Sequence, residues 1–400
     1  MAQSPARPIS QALVRATKIA PAIVALRRNL HRHAELAFKE EQTAKILIAE
    51  LEALGLSFDY QGVGQPVVAR LDINKDAPTV ALRADMDALP GEEKTGLPFA
   101  SSHAGNVHAC GHDAHMAIVM GAARLLVMNP PKVNVRFVFQ PAEERGGGAR
   151  TVLAGGYLKD VDMIFGGHVT HHYKPGEIMV AQGVITAQSD RFSIHVHGRA
   201  GHGARPHEAV DAVVIAGLLI TTLQTLVSRE TNPLHPSVLT IGRVEAGSAP
   251  NVIADLALLE GTIRTTNVEV RDHIHNGIRR MAGAYGELHN AKLDVDIQPG
   301  YPPVVNTPRE TEIAARAARS VVGDAGLAAM DYPSMGGEDF SFYLDKLPGC
   351  YVRFGARPPD IDYIPLHSPV FDIDESVLPI GAAFFYEVVE EAARTLPAVP

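Results

Sequence analysis

The sequence contains only two cysteines, Cys110 and Cys350, and few aromatic residues, 6% of the chain. Two cysteines cannot build a disulfide framework, so we expect a reducing compartment. Basic residues are also in the minority: 36 Lys and Arg stand against 45 Asp and Glu, a formal net charge of −9. This charge repels phosphate backbones, and no basic run with interleaved aromatics occurs. Nucleic acid is therefore not expected as a partner.

Long apolar runs are missing as well. The most apolar stretch, Ala212–Ile220, is followed by Thr221 and Thr222. It falls well short of the ~18 apolar residues that a membrane span needs, so a buried helix is expected there. Near the N-terminus, Arg15 and Lys18 interrupt the apolar residues, so no export signal is predicted. We expect a cytoplasmic protein without membrane contacts.

The 400 residues exceed the usual ~100–200 per domain, so more than one structural unit is expected. Apolar segments typical of strands, such as Thr79–Ala84 and Val133–Phe139, alternate with helical segments such as Ala114–Met128. Gly or Pro marks the junctions between them. This alternation predicts an α/β fold with a mixed sheet layered by helices.

Between residues 189 and 300 the predicted elements follow the order β-α-β-β-α-β. The helices are Asp211–Ser228 and Val268–Tyr285, and the strands are Phe192–Val196, Ser237–Val244, Leu256–Arg264 and Lys292–Ile297. This order matches a ferredoxin-like α+β unit with one open sheet face. We therefore predict a discontinuous catalytic domain, residues 1–188 and 301–400, with a domain inserted at 189–300.

The densest group of potential metal ligands is the run His108-Ala-Cys110-Gly-His112-Asp113-Ala-His115. A thiolate, an imidazole and a carboxylate this close in sequence can converge on a divalent ion such as zinc. The helix that follows favours thiolate over thiol at its N-terminus. A small buried cysteine beside surface histidines is the alternative, and the motif alone does not decide between the two.

Two adjacent carboxylates, Glu143 and Glu144, follow an apolar strand on a Gly-rich loop. Sites in open α/β sheets lie outside the carboxyl ends of strands, as this loop does. One carboxylate of such a pair can bind a metal while the other takes a proton from water. The alternative is a solvated acidic helix start, which the helix dipole favours.

Three further strand ends or loops carry ligand-type side chains: Asp85-Met-Asp87, His168 and His367. Each alone is more often an ordinary loop residue than a ligand. What indicates a site is their combination with the two motifs above. No GxGxxG or GxxxxGK[ST] motif is present, so a dinucleotide or P-loop site is not predicted.

Taken in order, these motifs resemble the M20 metallopeptidase/amidohydrolase superfamily. The most similar branch contains hippurate hydrolases, N-acyl-L-amino acid aminoacylases and auxin-conjugate hydrolases. The motifs that carry the resemblance extend over nearly the whole chain: Leu30-His-Arg-His33 with Glu35, Leu82-Arg-Ala-Asp-Met-Asp-Ala-Leu-Pro90, His108-Ala-Cys-Gly-His-Asp113, Gln140-Pro-Ala-Glu-Glu144, Gly201-His-Gly-Ala-Arg-Pro-His207, Ala249-Pro-Asn-Val252 and Gly336-Gly-Glu-Asp-Phe340.

The resemblance implies two divalent metal ions per subunit, whether zinc, manganese, cobalt or nickel, bridged by the Cys110 thiolate. The other protein ligands that it implies are His112, Glu144, His168 and His367. Glu143 would be the general base that activates a metal-bridging water for attack on an amide carbonyl. Asp87 would orient a ligand imidazole.

The inserted domain resembles the family's lid and dimerisation domain, which implies a homodimer or a higher homo-oligomer. His202 would stabilise the carbonyl oxygen in a site, commonly that of the partner subunit. Asn251 and Arg264 match positions that hold the carboxylate end of the substrate, for which an arginine fork is suited. From the residues alone, the alternatives are a loop histidine, a turn-capping asparagine and a surface arginine.

One departure from the family pattern concerns the substrate. The family usually reads His-Val-Trp-Pro where this chain has His168-Val-Thr-His171-His172. An aromatic wall is lost and two histidines appear, either of which could compete for metal. The departure affects substrate identity more than reaction type.

The leading hypothesis is hydrolysis of the amide bond of a small N-acyl or N-aroyl amino acid. A dipeptidase or carboxypeptidase of the same superfamily is the alternative among enzymes. A catalytically silent metal- or ligand-binding protein is a third possibility, but it has no use for a base such as Glu143 beside the ligands. A zinc-dependent dehydrogenase would need a dinucleotide fingerprint.

Overall fold

The structure is a computed structural model that describes residues 10–396. Within this range there are nine α-helices: α1 (Gln11–Arg32), α2 (Glu41–Ala53), α3 (His112–Met128), α4 (Gly148–Ala154), α5 (Ala212–Ser228), α6 (Val268–His289), α7 (Pro308–Val322), α8 (Ser341–Leu344) and α9 (Val377–Thr395). The chain forms two compact units. Unit 1 contains the described residues up to Ile185, Val305–Tyr332 and those from Asp339 onward; unit 2 contains Thr186–Val304 and Pro333–Glu338.

Unit 1 is built on an eight-stranded mixed sheet. In spatial order its strands are Ser57–Asp59, Val67–Leu71, Asn134–Gln140, Thr79–Asp85, Met163–Thr170, Gly349–Gly355, Ile178–Met179 and Leu327–Ala328. The four central strands, from Asn134–Gln140 to Gly349–Gly355, run parallel. Three of them are buried along their whole length, as expected for parallel strands covered on both faces. The predicted α/β fold with a mixed sheet is confirmed.

Helices α1, α3 and α9 pack together in the core of unit 1. Gly121 of α3 lies where the three helices meet, because a Cβ there would come within 2.8 Å of both Ile23 and Ala382. Helix α3 is buried on nearly all sides, as expected for a helix that is apolar around its whole circumference. Helices α1 and α2 are separated by a loop that contains Glu35 and Phe38.

Unit 2 is the predicted ferredoxin-like unit. Its four antiparallel strands lie in the order Ser237–Ala246, Leu256–Thr265, Gln188–His197 and Lys292–Pro299. Burial alternates along Gln188–His197, and the buried side packs against α5 and α6 while the other face stays open. The predicted β-α-β-β-α-β order is confirmed; a lid role for residues 189–300 stays a prediction.

The apolar segment at Ala212–Ile220 forms the first part of α5, whose N-cap is the Asp211 side chain. Among residues 10–396, no helix is both long and apolar enough to cross a bilayer.

Candidate metal centre

A left-handed glycine shapes the segment that precedes α3. Gly111 has a φ of 83°, and a Cβ at this position would lie 2.4 Å from a methyl carbon of Val169. Only glycine combines this backbone conformation with this close approach. The turn separates Cys110 from His112, the first residue of α3, so both side chains are held by a rigid element.

The predicted ligands come together in unit 1. Potential ligand atoms of Cys110, His112 and His168 lie within 4.8 Å of one another, as do those of Cys110, Glu144 and His367, and those of His112, Glu143 and Glu144. The Sγ atom of Cys110 is 3.3 Å from Nε2 of His168, and Nε2 of His367 is 3.1 Å from Oε1 of Glu144. Four distant segments of the chain thus contribute to one cluster.

Backbone carbonyls set the orientation of two of the imidazoles. Nδ1 of His112 donates to the carbonyl oxygen of Asp87 at 2.8 Å, and Nδ1 of His168 donates to that of Val169 at 2.6 Å. Each ring therefore directs Nε2 to the cluster, where a metal ion can take the place of a proton. The buried Nε2 of His112 has no hydrogen-bond partner among the described residues. A metal ion is the kind of partner that such an atom requires.

Asp87 acts on the cluster through two different groups. Its backbone carbonyl orients His112, while its carboxylate accepts hydrogen bonds from the amides of Glu143 and Glu144 at 2.9 and 3.0 Å. The loop of the two glutamates is held further by the buried Glu40, which accepts a hydrogen bond from the amide of Ala142. Ala142 has a φ of 54°, unusual for alanine, so the surrounding contacts must hold this turn.

Two nearby histidines are not available as ligands. His115 donates from Nδ1 to Asp85, and its Nε2 accepts a hydrogen bond from the amide of Val169. His171 donates from Nε2 to the carbonyl of Asp372, and its Nδ1 accepts from the amide of Ile364. Both ring nitrogens are thus used in each case. The hypothesis that His171 competes for metal is not supported by these contacts.

The electrostatics of the cluster favour a bound cation. Burial raises the pKa of the Cys110 thiol well above its usual value, and the nearby Glu144 carboxylate adds to this effect. For His112, burial by itself lowers the pKa. The Asp85 carboxylate and Cys110 have a larger, opposite effect, so the pKa of His112 lies well above its usual value. A metal ion can replace these protons, since thiolate, imidazole and carboxylate are its usual donors. The donor set fits divalent metal ions.

A buried cationic pair behind α3 was not anticipated from the sequence. Arg27 and His31 of α1 both donate to Oδ2 of Asp113, at 2.7 and 2.8 Å, directly after His112. Arg27 also reaches Asp372 at 2.8 Å, so it ties the α3 N-terminus to the segment that follows His367. The available signal was the spacing of the two basic residues, one helical turn apart on α1 and on the same side as Ile23 and Leu30.

Unit 2 carries the three predicted substrate-binding residues. His202 and Asn251 are exposed and adjacent, because the amide of Gly203 donates to the Asn251 carbonyl at 2.9 Å. Arg264 lies on the separate strand Leu256–Thr265 and is half-buried. Within the described residues it pairs with no carboxylate, and it donates to the carbonyl of Ile263. Burial lowers the pKa of Arg264, which favours an anionic ligand there.

Comparisons with known proteins agree with this geometry. The profile of peptidase family M20/M25/M40 matches residues 81–391. The N-acetyl-L-cysteine deacetylase of Bacillus subtilis (strain 168) is 38% identical over 368 residues, which cover 91% of this chain and 86% of that protein. Thermostable carboxypeptidase 1 of Saccharolobus solfataricus is 38% identical over 371 residues, 90% of this chain and 92% of that protein. A Bacillus subtilis crystal structure, described as a dinuclear metal binding peptidase from the M20 family, has a TM-score of 0.82 at 35% identity and covers 95% of this chain and 100% of that one.

Proposed function

The chain belongs to peptidase family M20/M25/M40, and from this premise we propose that it is a metal-dependent amidohydrolase that cleaves the amide bond of N-acyl amino acids. The observation that carries the proposal is the single cluster of thiol, imidazole and carboxylate groups with Glu143 among them. A carboxypeptidase is the second candidate, because a protein of that name is among the relatives. Both activities hydrolyse an amide and differ in the acyl group accepted.

For the cofactor we propose two divalent ions per subunit, drawn from zinc, manganese, cobalt and nickel. The ligands would be Cys110 as the bridge together with His112, Glu144, His168 and His367, the set whose potential donor atoms cluster within 4.8 Å in overlapping groups. When bound, such ions polarise the amide carbonyl and lower the pKa of the attacking water. A cytoplasmic location is consistent with the unpaired Cys110 and Cys350.

The protein's own residues would handle the proton and the substrate. Glu143 takes a proton from the attacking water and delivers it to the leaving nitrogen. Asp87 keeps Glu143 in position through the hydrogen bond to its amide. In unit 2, His202 would stabilise the carbonyl oxygen, and Asn251 and Arg264 would bind the amino-acid carboxylate. The Arg264 guanidinium is suited to this role because no carboxylate of the described residues pairs with it.

The experiment that tests the function is a hydrolysis assay over N-acetyl, N-benzoyl and long-chain N-acyl amino acids and over dipeptides. The protein is stripped of metal and reconstituted separately with zinc, manganese, cobalt and nickel. We expect at least one metal to support release of the free amino acid from an N-acyl substrate, and the metal-free protein to be inactive. Cleavage of dipeptides with no N-acyl amino acid cleaved would favour the carboxypeptidase alternative, and activity without metal would contradict both.

We also propose a homodimer, formed through an apolar surface of unit 2. Helix α5 exposes Val213, Val214 and Leu218, and the neighbouring strand Ser237–Ala246 lies at the end of its sheet with one edge unpaired. An apolar helix face beside an open strand edge is typical of a surface covered by another chain. Because a second copy offers the same two elements, it can cover both at once.

Substitution of Val214 by Glu is expected to convert the dimer into a monomer, because it places a charge in the apolar contact. Light scattering coupled to size exclusion measures the mass. The matched control is Val63→Glu in unit 1, since Val63 and Val214 are both 51% exposed. A monomeric wild type would refute the dimer. A monomeric variant with full activity would show that His202 acts within its own subunit.

A further inference from the structure

Two arginines at the carboxyl end of the parallel strands are half-buried and have no anionic partner within residues 10–396. Arg353 lies on the strand Gly349–Gly355, and Arg357 follows that strand. Neither guanidinium forms an ion pair with any residue between 10 and 396, although the chain has 45 acidic residues. Partial burial of a cation is unfavourable unless an anion compensates it. These two side chains are therefore suited to an anion from outside the chain.

Their position relates them to the candidate metal centre. Arg353 is in register with His168 on the neighbouring parallel strand, and residues in register on adjacent strands point to the same face of a sheet. The strand ends stay together beyond this pair, because the amide of Arg357 donates to the carbonyl of Tyr173 at 3.3 Å. In α/β sheets, ligands bind outside the carboxyl ends of such strands. The Arg353 guanidinium thus shares a sheet face with a proposed metal ligand.

An aromatic pair lies beside the two arginines. The ring of His172 contacts that of Tyr363, with centroids 4.8 Å apart and the ring planes inclined by 36°. Burial lowers the pKa of His172, and the charges of Arg353 and Arg357 lower it further, so this imidazole is neutral near neutral pH. His172 belongs to the segment in which this chain departs from the family pattern. It contributes a flat, uncharged surface next to two positive charges.

A purely structural role does not account for Arg353. Its guanidinium lies 5.3 Å from the centroid of the Tyr351 ring, a cation–π contact. This contact does not use the N–H donors of the guanidinium as hydrogen bonds to oxygen, and among residues 10–396 no acceptor for them is found. The five donors of an arginine form a planar fork that matches a carboxylate.

We propose that Arg353 and Arg357 bind a second carboxylate of the substrate, in addition to the amino-acid carboxylate assigned to Asn251 and Arg264. The inference rests on the proposed amidohydrolase function and narrows its substrates to dicarboxylic N-acyl amino acids. The second carboxylate can belong to the acyl group or to the amino-acid side chain, and both present the same chemistry to the arginines.

The test compares two acids with their neutral counterparts: N-succinyl-L-leucine with N-butyryl-L-leucine, and N-acetyl-L-glutamate with N-acetyl-L-glutamine. The wild type is expected to prefer one acid over its counterpart at least about tenfold in kcat/KM, as a charge-assisted hydrogen bond allows. Arg353→Gln is expected to lower kcat/KM for that acid about tenfold, mainly through KM, with the neutral counterpart changed by less than about twofold. The preferred acid identifies which carboxylate is bound.

Two variants serve as controls. Arg279→Gln removes an exposed arginine of α6 and should keep the wild-type preference. Arg353→Lys keeps the charge without the fork and should restore part of the preference. The inference is refuted if the wild type prefers neither acid, or if Arg353→Gln slows acids and neutral substrates equally.

The failure of the proposed function can be recognised separately. If no N-acyl amino acid is cleaved with any metal, the function is wrong, and the arginines are then tested by calorimetric titration of glutarate into the metal-loaded protein. Glutarate binding that Arg353→Gln weakens about tenfold supports the anion site. No binding, or equal binding by both proteins, overturns it.

Discussion

Replacement of Glu143 by Gln is expected to reduce turnover by a factor of about 10²–10⁴, the usual contribution of a general base. The glutamine has nearly the same size but cannot accept a proton from water. The backbone amide of residue 143 still donates to the Asp87 carboxylate, so the loop should keep its conformation. Metal content, measured by elemental analysis, is expected to stay near the wild-type value. Turnover and metal content must both be measured, because a Glu143 that only stabilised the structure of the site would lower both when it is replaced.

Two further variants serve as comparisons for Glu143→Gln. Glu144→Gln alters the adjacent carboxylate, which is proposed as a ligand, and should lose metal as well as activity. Glu41→Gln alters an exposed glutamate of α2 that pairs with Lys45, and should change neither. A Glu143→Gln protein that retains activity would remove the assignment of Glu143 as the base.

Substitution of Cys110 by Ser is expected to weaken metal binding at least about tenfold, since loss of a residue that only orients a ligand already costs this much. A serine hydroxyl is nearly the same size as a thiol but does not ionise near neutral pH, so it cannot supply the bridging anion. Elemental analysis after dialysis and titration of the stripped protein with metal measure the effect. Activity should fall in parallel.

The second cysteine provides a matched control. Cys350 is also buried, and its thiol packs in the core of unit 1 rather than in the metal cluster. Burial raises the pKa of Cys350 to about 12, so this side chain is a neutral thiol under all working conditions. Cys350→Ser should retain the wild-type metal stoichiometry. Unchanged stoichiometry in Cys110→Ser would contradict the proposed bridge.

Local patterns predicted the elements well. The helix expected at Ala114–Met128 is α3 at His112–Met128, and the strand expected at Val133–Phe139 is Asn134–Gln140. The spacing of apolar residues distinguishes helices from strands, because side chains return to the same face about every 3.6 residues in a helix and every 2 residues in a strand.

The motifs also pointed to several side chains whose donor atoms lie close together in the structure, but not to the contacts that each of these atoms makes. Within the run that contains Cys110, the sequence offers His112 and His115 as equivalent imidazoles. They differ because the amide of Val169 donates to Nε2 of His115, while Nε2 of His112 has no hydrogen-bond partner in the described chain. That amide comes from another strand, so no local pattern could reveal it.

By itself the sequence determined the two-part α/β architecture and the types of donor groups, because both follow from side-chain chemistry and short-range periodicity. Only the tertiary structure decided which nitrogen of each imidazole points to the cluster, and which arginines find a carboxylate. Arg27 is neutralised by Asp113 and Asp372, whereas Arg353 pairs with no carboxylate in the described part of the chain. The physical reason is that hydrogen bonds and ion pairs depend on distances of a few ångströms between segments far apart in the chain.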